Sequence, residues 1–287
     1  MRPGNLKTRI FLDGGDPGET REMLDLFGFV DGQTTNPSLI SKNPEARARM
    51  ERGEKFSESE LLEFYEGVVR ELAEMIPQGS VSIEVYADEN TTAEHMIEQG
   101  REMFRWIPNA HIKLPTTAEG LKAAEMAIKD GIRINMTLCF SQEQAAAVYD
   151  ATAGARKGDV FVSPFVGRLD DRGEDGMSLI DNILKMYRDG DGHAEVLTAS
   201  VRSYDHLIYA LKLESDIITA PFNAIKEWGN KGFPLPGHDY SYPSGNLKLL
   251  PYEHIDLKKR WTEFNIAHVL TDTGLAKFAA DWNNLIQ

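Results

Sequence analysis

The sequence HIKLPTTAEG, residues 111–120, puts a short apolar run directly in front of a helix start. Apart from His111 and Lys113, its first five residues are apolar, as in a strand that is buried on both faces of a sheet. Thr116 and Glu119 have the spacing of a capping box, which marks the beginning of a helix. A buried strand followed at once by a helix is the repeating unit of a parallel sheet with helical crossovers, so this stretch predicts one such unit.

The same pattern recurs along the chain. Eight apolar runs are separated by segments with helical character, at 9–13, 29–36, 81–87, 111–116, 133–140, 159–166, 195–202 and 216–222. Further capping boxes begin at Ser57 and Thr91. These units follow one another without a break in composition, which favours an α/β architecture of the closed (β/α)8 TIM barrel type over an open doubly wound sheet. No glycine-rich G-x-G-x-x-G fingerprint follows any run, which weakens a dinucleotide-binding alternative.

The segment after the eighth run has a different composition. Residues 229–251 are rich in Gly, Pro and Tyr, which predicts an ordered but irregular loop. A final helix is predicted to begin after Thr271 or Thr273 and to run to Leu285, with an apolar stripe at Leu275, Phe278, Ala279, Trp282 and Leu285. We expect residues 1–287 to form a single barrel domain, with about 229–287 as a loop and helix packed on the barrel or on a neighbouring subunit.

Composition argues against several classes of function. A formal net charge of −14 disfavours binding to nucleic acid or to an anionic membrane, although a local basic pocket could still bind a phosphate. No apolar stretch is long enough to cross a membrane. The single cysteine, Cys139, and the lack of a secretion-signal pattern predict a reducing, cytoplasmic setting. The histidines lack metal-ligand spacing and no P-loop is present, so we expect neither a metal nor another cofactor. The sequence is compatible with a homo-oligomer.

The polar residues of the predicted strands share one face. Successive residues of a strand point alternately to the barrel interior and to the surrounding helices, and the more apolar face must lie under the helices. The other face is therefore predicted to converge inside, toward the carboxyl ends of the strands, with Asp13, Asn36, Glu84, Lys113, Asn135, Thr137, Ser163, Ser200 and Arg202. That end is where barrel enzymes have their active sites.

Lys113 is the residue least expected in such a strand. Burial disfavours the charged form of a lysine, so its amine can be neutral near pH 7 and can attack a carbonyl to form a Schiff base. A lysine at a strand end can also extend its head to solvent or to a carboxylate. The segment alone leaves both interpretations open.

Five segments, taken in order, resemble the transaldolase family. They are TTNPSL at 34–39, IKLP at 112–115, NMTL at 135–138, SPFVGR at 163–168 and SVR at 200–202. With Asp13 ahead of them and Glu84 on the third run, the resemblance covers about residues 8–228. It identifies Lys113 with the Schiff-base lysine of the family.

The resemblance implies transfer of a three-carbon dihydroxyacetone unit from a ketose phosphate, such as fructose 6-phosphate or sedoheptulose 7-phosphate, to an aldose phosphate. This reaction belongs to the non-oxidative pentose phosphate pathway and needs no cofactor. Lys113 would attack the C2 carbonyl, and Asp13 would take the proton of the C4 hydroxyl. Glu84, with Thr137 and a water, would move protons while the imine forms.

The remaining implied residues would bind substrate. They are Thr34, with Asn36, Asn135 and Ser163 for the hydroxyls of the three-carbon unit, Phe165 as an apolar wall, and Ser200, Arg168 and Arg202 at the phosphate end. Simpler roles stay open for several of them. Asp13 could cap a helix, Asn36 could serve the turn before Pro37, and Glu84 could simply pair with Lys113. Arg168 could form a surface salt bridge with a nearby aspartate.

Two alternatives to a transaldolase follow from the same segments. The first is a fructose 6-phosphate aldolase that releases free dihydroxyacetone, a subgroup that typically has Tyr and Gln at the positions of Phe165 and Glu84. The Phe and Glu of this chain favour transfer over release. The second is a non-catalytic sugar-phosphate-binding protein, which the full Lys, Asp and Glu set disfavours. Cys139 and residues 169–177 differ from longer transaldolases and leave the acceptor open.

Overall fold

A computed structural model describes residues 2–287, and its centre is a closed barrel of eight parallel strands. The strands are β1 Arg9–Asp13, β2 Gly32–Thr34, β3 Ser80–Glu84, β4 Ala110–Pro115, β5 Ile134–Cys139, β6 Val160–Pro164, β7 Ala194–Thr198 and β8 Ile217–Ala220. Each strand pairs with the next along the chain, and β8 closes the ring by pairing with β1. The predicted (β/α)8 TIM barrel is confirmed.

Helices surround this barrel and connect its strands. They are α1 Pro17–Phe27, α2 Pro37–Ile40, α3 Pro44–Glu51, α4 Glu58–Met75, α5 Ala93–Phe104, α6 Ala118–Lys129, α7 Gln142–Ala151, α8 Val166–Asp170, α9 Gly176–Tyr187, α10 Tyr204–Lys212, α11 Phe222–Asn230 and α12 Val269–Asn283. Within residues 2–287, no helix is both long and apolar enough to pass through a membrane.

The predicted helix starts are close to those observed. Ser57 forms the full capping box at α4, as predicted. The caps of α5 and α6 were predicted one residue too early, because Thr92 and Thr117 cap these helices instead of Thr91 and Thr116. Thr116 still belongs to the sheet, since both its backbone N–H and its hydroxyl donate to the carbonyl of Thr137 on β5.

The amino-terminal end of the barrel is filled by an ion pair and aromatic rings. Arg9 Nη2 lies 2.8 Å from Glu195 Oε2, and the ring of His111 stacks on Phe161 at 4.1 Å between centroids. Burial lowers the pKa of His111 to about 3, so this imidazole is neutral. Packed side chains therefore occupy this end of the interior, and the polar residues nearer the carboxyl ends line a pocket.

The face prediction was wrong for β7. In the run 195–202, alternation predicts Ala199 under the helices and Thr198 inside the barrel. Ala199, directly after β7, instead lines the pocket, and Thr198 hydrogen-bonds Ser215, two residues before β8. Ser200 and Arg202 still line the pocket because the chain leaves the strand after Thr198, and Ser200 adopts a left-handed backbone conformation with a φ of 57°. Simple alternation does not continue through such a turn.

The C-terminal segment follows α11. An irregular stretch contains the two-residue strand Lys248–Leu249, paired with Glu174–Asp175, and the 3₁₀ turn Trp261–Glu263. It leads to α12, which begins slightly earlier than predicted because His268 caps it by accepting from Leu270 N. The predicted stripe is buried at Phe278, Ala279, Trp282 and Leu285 and partly buried at Leu275. This stripe packs α12 against α2 and β5 of the same chain.

Candidate active site

A pocket of about 310 Å³ opens at the carboxyl ends of the barrel strands. Most of the predicted site residues line it: Asp13, Thr34, Asn36, Lys113, Thr137, Ser163, Phe165, Arg168, Ser200 and Arg202. Glu84 and Asn135 lie one layer deeper, against Lys113 and Ser163 respectively. The structure therefore brings all the predicted site residues together.

Lys113 is buried at the floor of this pocket, with its side chain only 4% exposed. Its Nζ lies 2.9 Å from Glu84 Oε2 and donates to the carbonyl of Thr35, also at 2.9 Å. The strand register sets this geometry, because Glu84, Lys113 and Asn135 are neighbours on three adjacent strands. Glu84 therefore pairs with Lys113, which is the simple role considered for it. The same contact is short enough for proton transfer between the two groups.

Burial affects the proton affinity of Glu84. Desolvation raises the pKa of its carboxyl, and the positive charge of Lys113 partly offsets that effect. The backbone N–H of Glu84 donates to the hydroxyl of Tyr65 on α4, which also bonds the hydroxyl of Thr35 at 2.5 Å. Tyr65 therefore holds both neighbours of the lysine in place. Tyr65 was not predicted, because it lies within the apolar stripe of a helix.

Asp13, the last residue of β1, lines the same pocket. Its Oδ1 accepts from Thr34 Oγ1 at 2.7 Å, and Thr34 in turn bonds Thr219. Desolvation raises the pKa of Asp13, while the charge of Lys113 opposes the shift. The alternative role as a helix cap does not hold, because Asp16 caps α1.

Three polar side chains form the wall next to Lys113. Ser163 donates to Asn135 Oδ1 at 2.6 Å, and Asn135 donates to Ser82. Thr137 Oγ1 is buried, and no group among residues 2–287 hydrogen-bonds to it. A buried hydroxyl without a protein partner is costly, so this position suits a water or a substrate hydroxyl.

Asn36 has the turn role that was considered for it and also lines the pocket. Its Oδ1 accepts from Leu39 N at 2.9 Å and caps α2. None of the hydrogen bonds within residues 2–287 uses its Nδ2. The amide N–H groups therefore remain available as donors to a ligand in the pocket.

Two arginines define the far side of the pocket. The Arg168 guanidinium lies 5.3 Å from the ring centroids of both Phe165 and Phe278, and no carboxylate of the described chain lies within ion-pair distance of it. Burial lowers its pKa. The surface salt bridge considered for Arg168 belongs instead to Arg202, whose Nη1 lies 2.5 Å from Asp171 Oδ1. Both arginines present N–H groups that could bind an anion.

Several pocket residues were not predicted. They are Ser38, Leu39, Ser41 and Lys42 from the α2 region, Thr219 on β8, and Lys277, Phe278 and Asp281 on α12, besides Ala199. Ser38 donates to Asp281, and Lys277 Nζ lies 2.6 Å from the same carboxylate, so α2 and α12 meet at the rim. Ser38 could have been predicted as a pocket residue, because it lies in the motif TTNPSL at 34–39. No sequence signal connected α12 with the pocket.

The fold and the pocket together define a (β/α)8-barrel enzyme with a buried lysine and two carboxyl groups at the carboxyl end of the barrel. The family model described as Transaldolase/Fructose-6-phosphate aldolase matches residues 10–287. The chain belongs to this family.

Two relatives of similar sequence agree with this assignment. A protein of Dehalococcoides mccartyi named "Probable transaldolase" is 34% identical over 277 residues, which cover 96% of this chain and 99% of that protein. One of Paracoccus denitrificans with the same name is 36% identical over 274 residues, or 96% of each chain. Among solved structures, 3-hexulose-6-phosphate synthase from Salmonella typhimurium matches at a TM-score of 0.48 and 13% identity, covering 84% of this chain and 94% of that one.

Proposed function

We propose that this protein is a transaldolase that moves a dihydroxyacetone unit from fructose 6-phosphate or sedoheptulose 7-phosphate to an aldose phosphate. The observation that carries the proposal is the buried Lys113, which contacts Glu84 and lies within the electrostatic reach of Asp13 at the floor of an open pocket. These residues provide a nucleophile and two groups that accept and return protons. The reaction would belong to the non-oxidative pentose phosphate pathway, in the cytoplasm.

The first stage joins the ketose to the lysine. Glu84 takes a proton from the Lys113 ammonium, and the neutral amine attacks the C2 carbonyl. The oxygen at C2 then leaves as water after it gains protons, and Glu84 returns its proton during this step. Thr137 is suited to hold that water, because its buried hydroxyl has no partner among residues 2–287. The product is an iminium between Lys113 and C2.

The second stage breaks and remakes a carbon–carbon bond. Asp13 takes the proton of the C4 hydroxyl, the C3–C4 bond breaks, and its electron pair moves to the iminium to give an enamine. The aldose phosphate leaves with a new C4 aldehyde. When an acceptor aldehyde binds, the enamine attacks it and Asp13 returns the proton to the new hydroxyl. Hydrolysis of the iminium then frees the product and Lys113.

We propose that Arg168 and Arg202 bind the phosphate. Arg168→Ala and Arg202→Ala are each expected to raise KM for fructose 6-phosphate by about 10- to 100-fold, since each removes a charge-assisted contact of roughly 1.5–3 kcal/mol. KM for unphosphorylated fructose should change much less. Steady-state kinetics with both donors measures the difference. Equal losses with the two donors would show that the arginines have a structural role only.

Transfer and release are distinguished by a direct comparison. With erythrose 4-phosphate present, fructose 6-phosphate should yield sedoheptulose 7-phosphate and glyceraldehyde 3-phosphate far faster than fructose 6-phosphate alone yields free dihydroxyacetone. The physical reason is that the apolar Phe165 ring lines the pocket, which keeps water from protonating the enamine. Rapid release of dihydroxyacetone without an acceptor would instead identify a fructose 6-phosphate aldolase, and binding without turnover a sugar-phosphate-binding protein.

Phe165→Tyr is expected to shift that ratio toward release, because a phenol hydroxyl can hold a water that a phenyl ring cannot. Phe165→Leu is the matched control, since it removes the ring without adding a hydroxyl. Product analysis with and without the acceptor gives the ratio for each variant. If Phe165→Leu shifts the ratio as far as Phe165→Tyr does, the added hydroxyl is not needed for the shift, and the disturbed packing around residue 165 is its cause.

A further inference from the structure

Gly274 occupies a crowded position in the middle of α12. A Cβ atom at this residue would lie 2.5 Å from Arg168 Nη1 and 2.6 Å from Leu138 Cδ2. Both distances are shorter than any ordinary contact of a side-chain carbon. The guanidinium of Arg168 therefore uses the space that the missing side chain leaves open.

A glycine inside a helix has a cost. It destabilises the helix relative to alanine, because it loses more backbone freedom on folding. Gly274 is helical and buried, so neither a turn nor a left-handed backbone conformation explains it. The close approach of Arg168 and Leu138 does explain it.

The two helical turns around Gly274 fix α12 against the barrel. Thr271 donates to the carbonyl of Leu138 at 3.0 Å and accepts from Gln144 Nε2 at 2.8 Å. Phe278, one turn after Gly274, places its ring 5.3 Å from the Arg168 guanidinium. Leu138 itself has a φ of 58° beside an irregularity in β5. Because these contacts lie on both sides of Gly274, α12 cannot easily move away from the arginine.

We propose that α12 positions Arg168 through Gly274 and Phe278, and that Gly274 sets where the guanidinium lies in the pocket. Phe278 and Phe165 hold the guanidinium by cation–π contacts, and Gly274 admits its Nη1. The inference rests on the proposed role of Arg168 in binding phosphate. It makes a helix far along the chain from the family motifs a determinant of substrate affinity.

Gly274→Ala tests this role against a matched glycine. Gly67 lies inside α4, and a Cβ there would meet no atom within 4 Å, so Gly67→Ala makes the same chemical change without a contact. Gly274→Ala is expected to raise KM for fructose 6-phosphate about tenfold or more, because the added carbon displaces Nη1. Its kinetics with unphosphorylated fructose should change less than about threefold. Gly67→Ala should leave both donors unaffected and, by helix propensity, raise Tm slightly.

A double variant shows whether the effect passes through Arg168. In an Arg168→Ala background, Gly274→Ala should change KM for fructose 6-phosphate less than about twofold, since no guanidinium remains to be displaced. A loss of the same size in both backgrounds would overturn the proposal. So would a Gly274→Ala protein with the KM of the unmodified one. Should Gly274→Ala fail to fold, Phe278→Leu replaces it, and an unchanged KM ratio between the two donors would overturn the proposal.

Binding of inorganic phosphate separates this inference from the proposed function. Calorimetric titration with phosphate requires no turnover, and Gly274→Ala should weaken binding while Gly67→Ala should not. If the unmodified protein binds phosphate but forms no imine with fructose 6-phosphate, the proposed function fails and the inference on α12 is still tested. If the unmodified protein transfers normally and the two alanine variants bind phosphate alike, the inference alone fails.

Discussion

Treatment of the protein with fructose 6-phosphate and borohydride is expected to add a reduced three-carbon unit to Lys113 and to no other lysine. Three lysines line the pocket, but Lys42 and Lys277 are exposed and Lys113 is buried against Glu84. In the proposed mechanism Glu84 takes the proton of Lys113 across a distance of 2.9 Å, which frees the amine to attack the carbonyl. Intact-mass and peptide mass spectrometry would locate the adduct.

Lys113→Arg is the sharpest variant for this claim. Arginine keeps a positive charge beside Glu84, so the buried carboxylate keeps a partner, but a guanidinium stays protonated and cannot form an imine. Trapping and turnover should both fall below detection while Tm stays close to that of the unmodified protein. Lys42→Arg is the matched control, in which trapping at Lys113 should persist. An adduct on Lys42, or trapping that survives Lys113→Arg, would contradict the assignment.

The barrel could be predicted because its signals are local. Each apolar run and the helix that follows it lie within a few tens of residues, and β1 matched its predicted run 9–13 to the residue. The other runs were longer or displaced by a residue or more, since an apolar pattern continues into the turns that flank a strand. β2 is the clearest case, because the run 29–36 contains a strand of only three residues, Gly32–Thr34.

The lysine site was predictable for a different reason. Side-chain alternation within a strand is a strict geometric rule, so the sequence pattern alone could place Asp13, Glu84 and Lys113 on the inner face. The rule failed around the end of β7, where apolar Ala199 lines the pocket. Hydrophobicity alone cannot distinguish the inner from the outer face when both are buried, as they are in a filled barrel.

The contribution of α12 could not be predicted from sequence. Its apolar stripe indicates that the helix packs against another surface, but the stripe does not tell which surface that is. The roles of Gly274, Lys277 and Asp281 in the pocket arise only from contacts in the folded chain. Gly274 contacts Arg168 and Asp281 bonds Ser38, and both partners lie more than a hundred residues earlier. A local basic pocket was expected in this acidic chain because of Arg168 and Arg202. Helix α12 adds Lys277 at the rim of that pocket.

Asp13→Asn is expected to slow turnover by about 10²- to 10⁴-fold, the usual contribution of a general base, while trapping of the imine at Lys113 persists. Asparagine can still accept from Thr34 but cannot take the C4 hydroxyl proton, so the ketose should bind and condense without cleavage. Single-turnover trapping and steady-state assays separate the two steps. Loss of trapping in this variant would mean that Asp13 is needed for imine formation, and full turnover would remove it from the mechanism.

The raised pKa of Asp13 gives two pH effects of known sign. The proposed mechanism needs the carboxylate, so turnover should fall as pH drops through a pKa that lies above the ordinary range of an aspartate. The pKa of Glu84 is also raised. In Asp13→Asn, the fall of imine trapping at low pH should therefore report the pKa of Glu84.

The raised pKa of Asp13 also affects the stability of the fold. A carboxyl group whose pKa is raised by folding stabilises the fold at low pH, and this contribution is lost as pH rises through the folded-state value. Ionised Asp13 therefore costs stability at pH 7, and Asp13→Asn should have a Tm at least equal to that of the unmodified protein there, with the difference shrinking toward acid pH. A Tm that falls at pH 7 but not in acid would show that the carboxylate stabilises the fold and that its pKa is not raised.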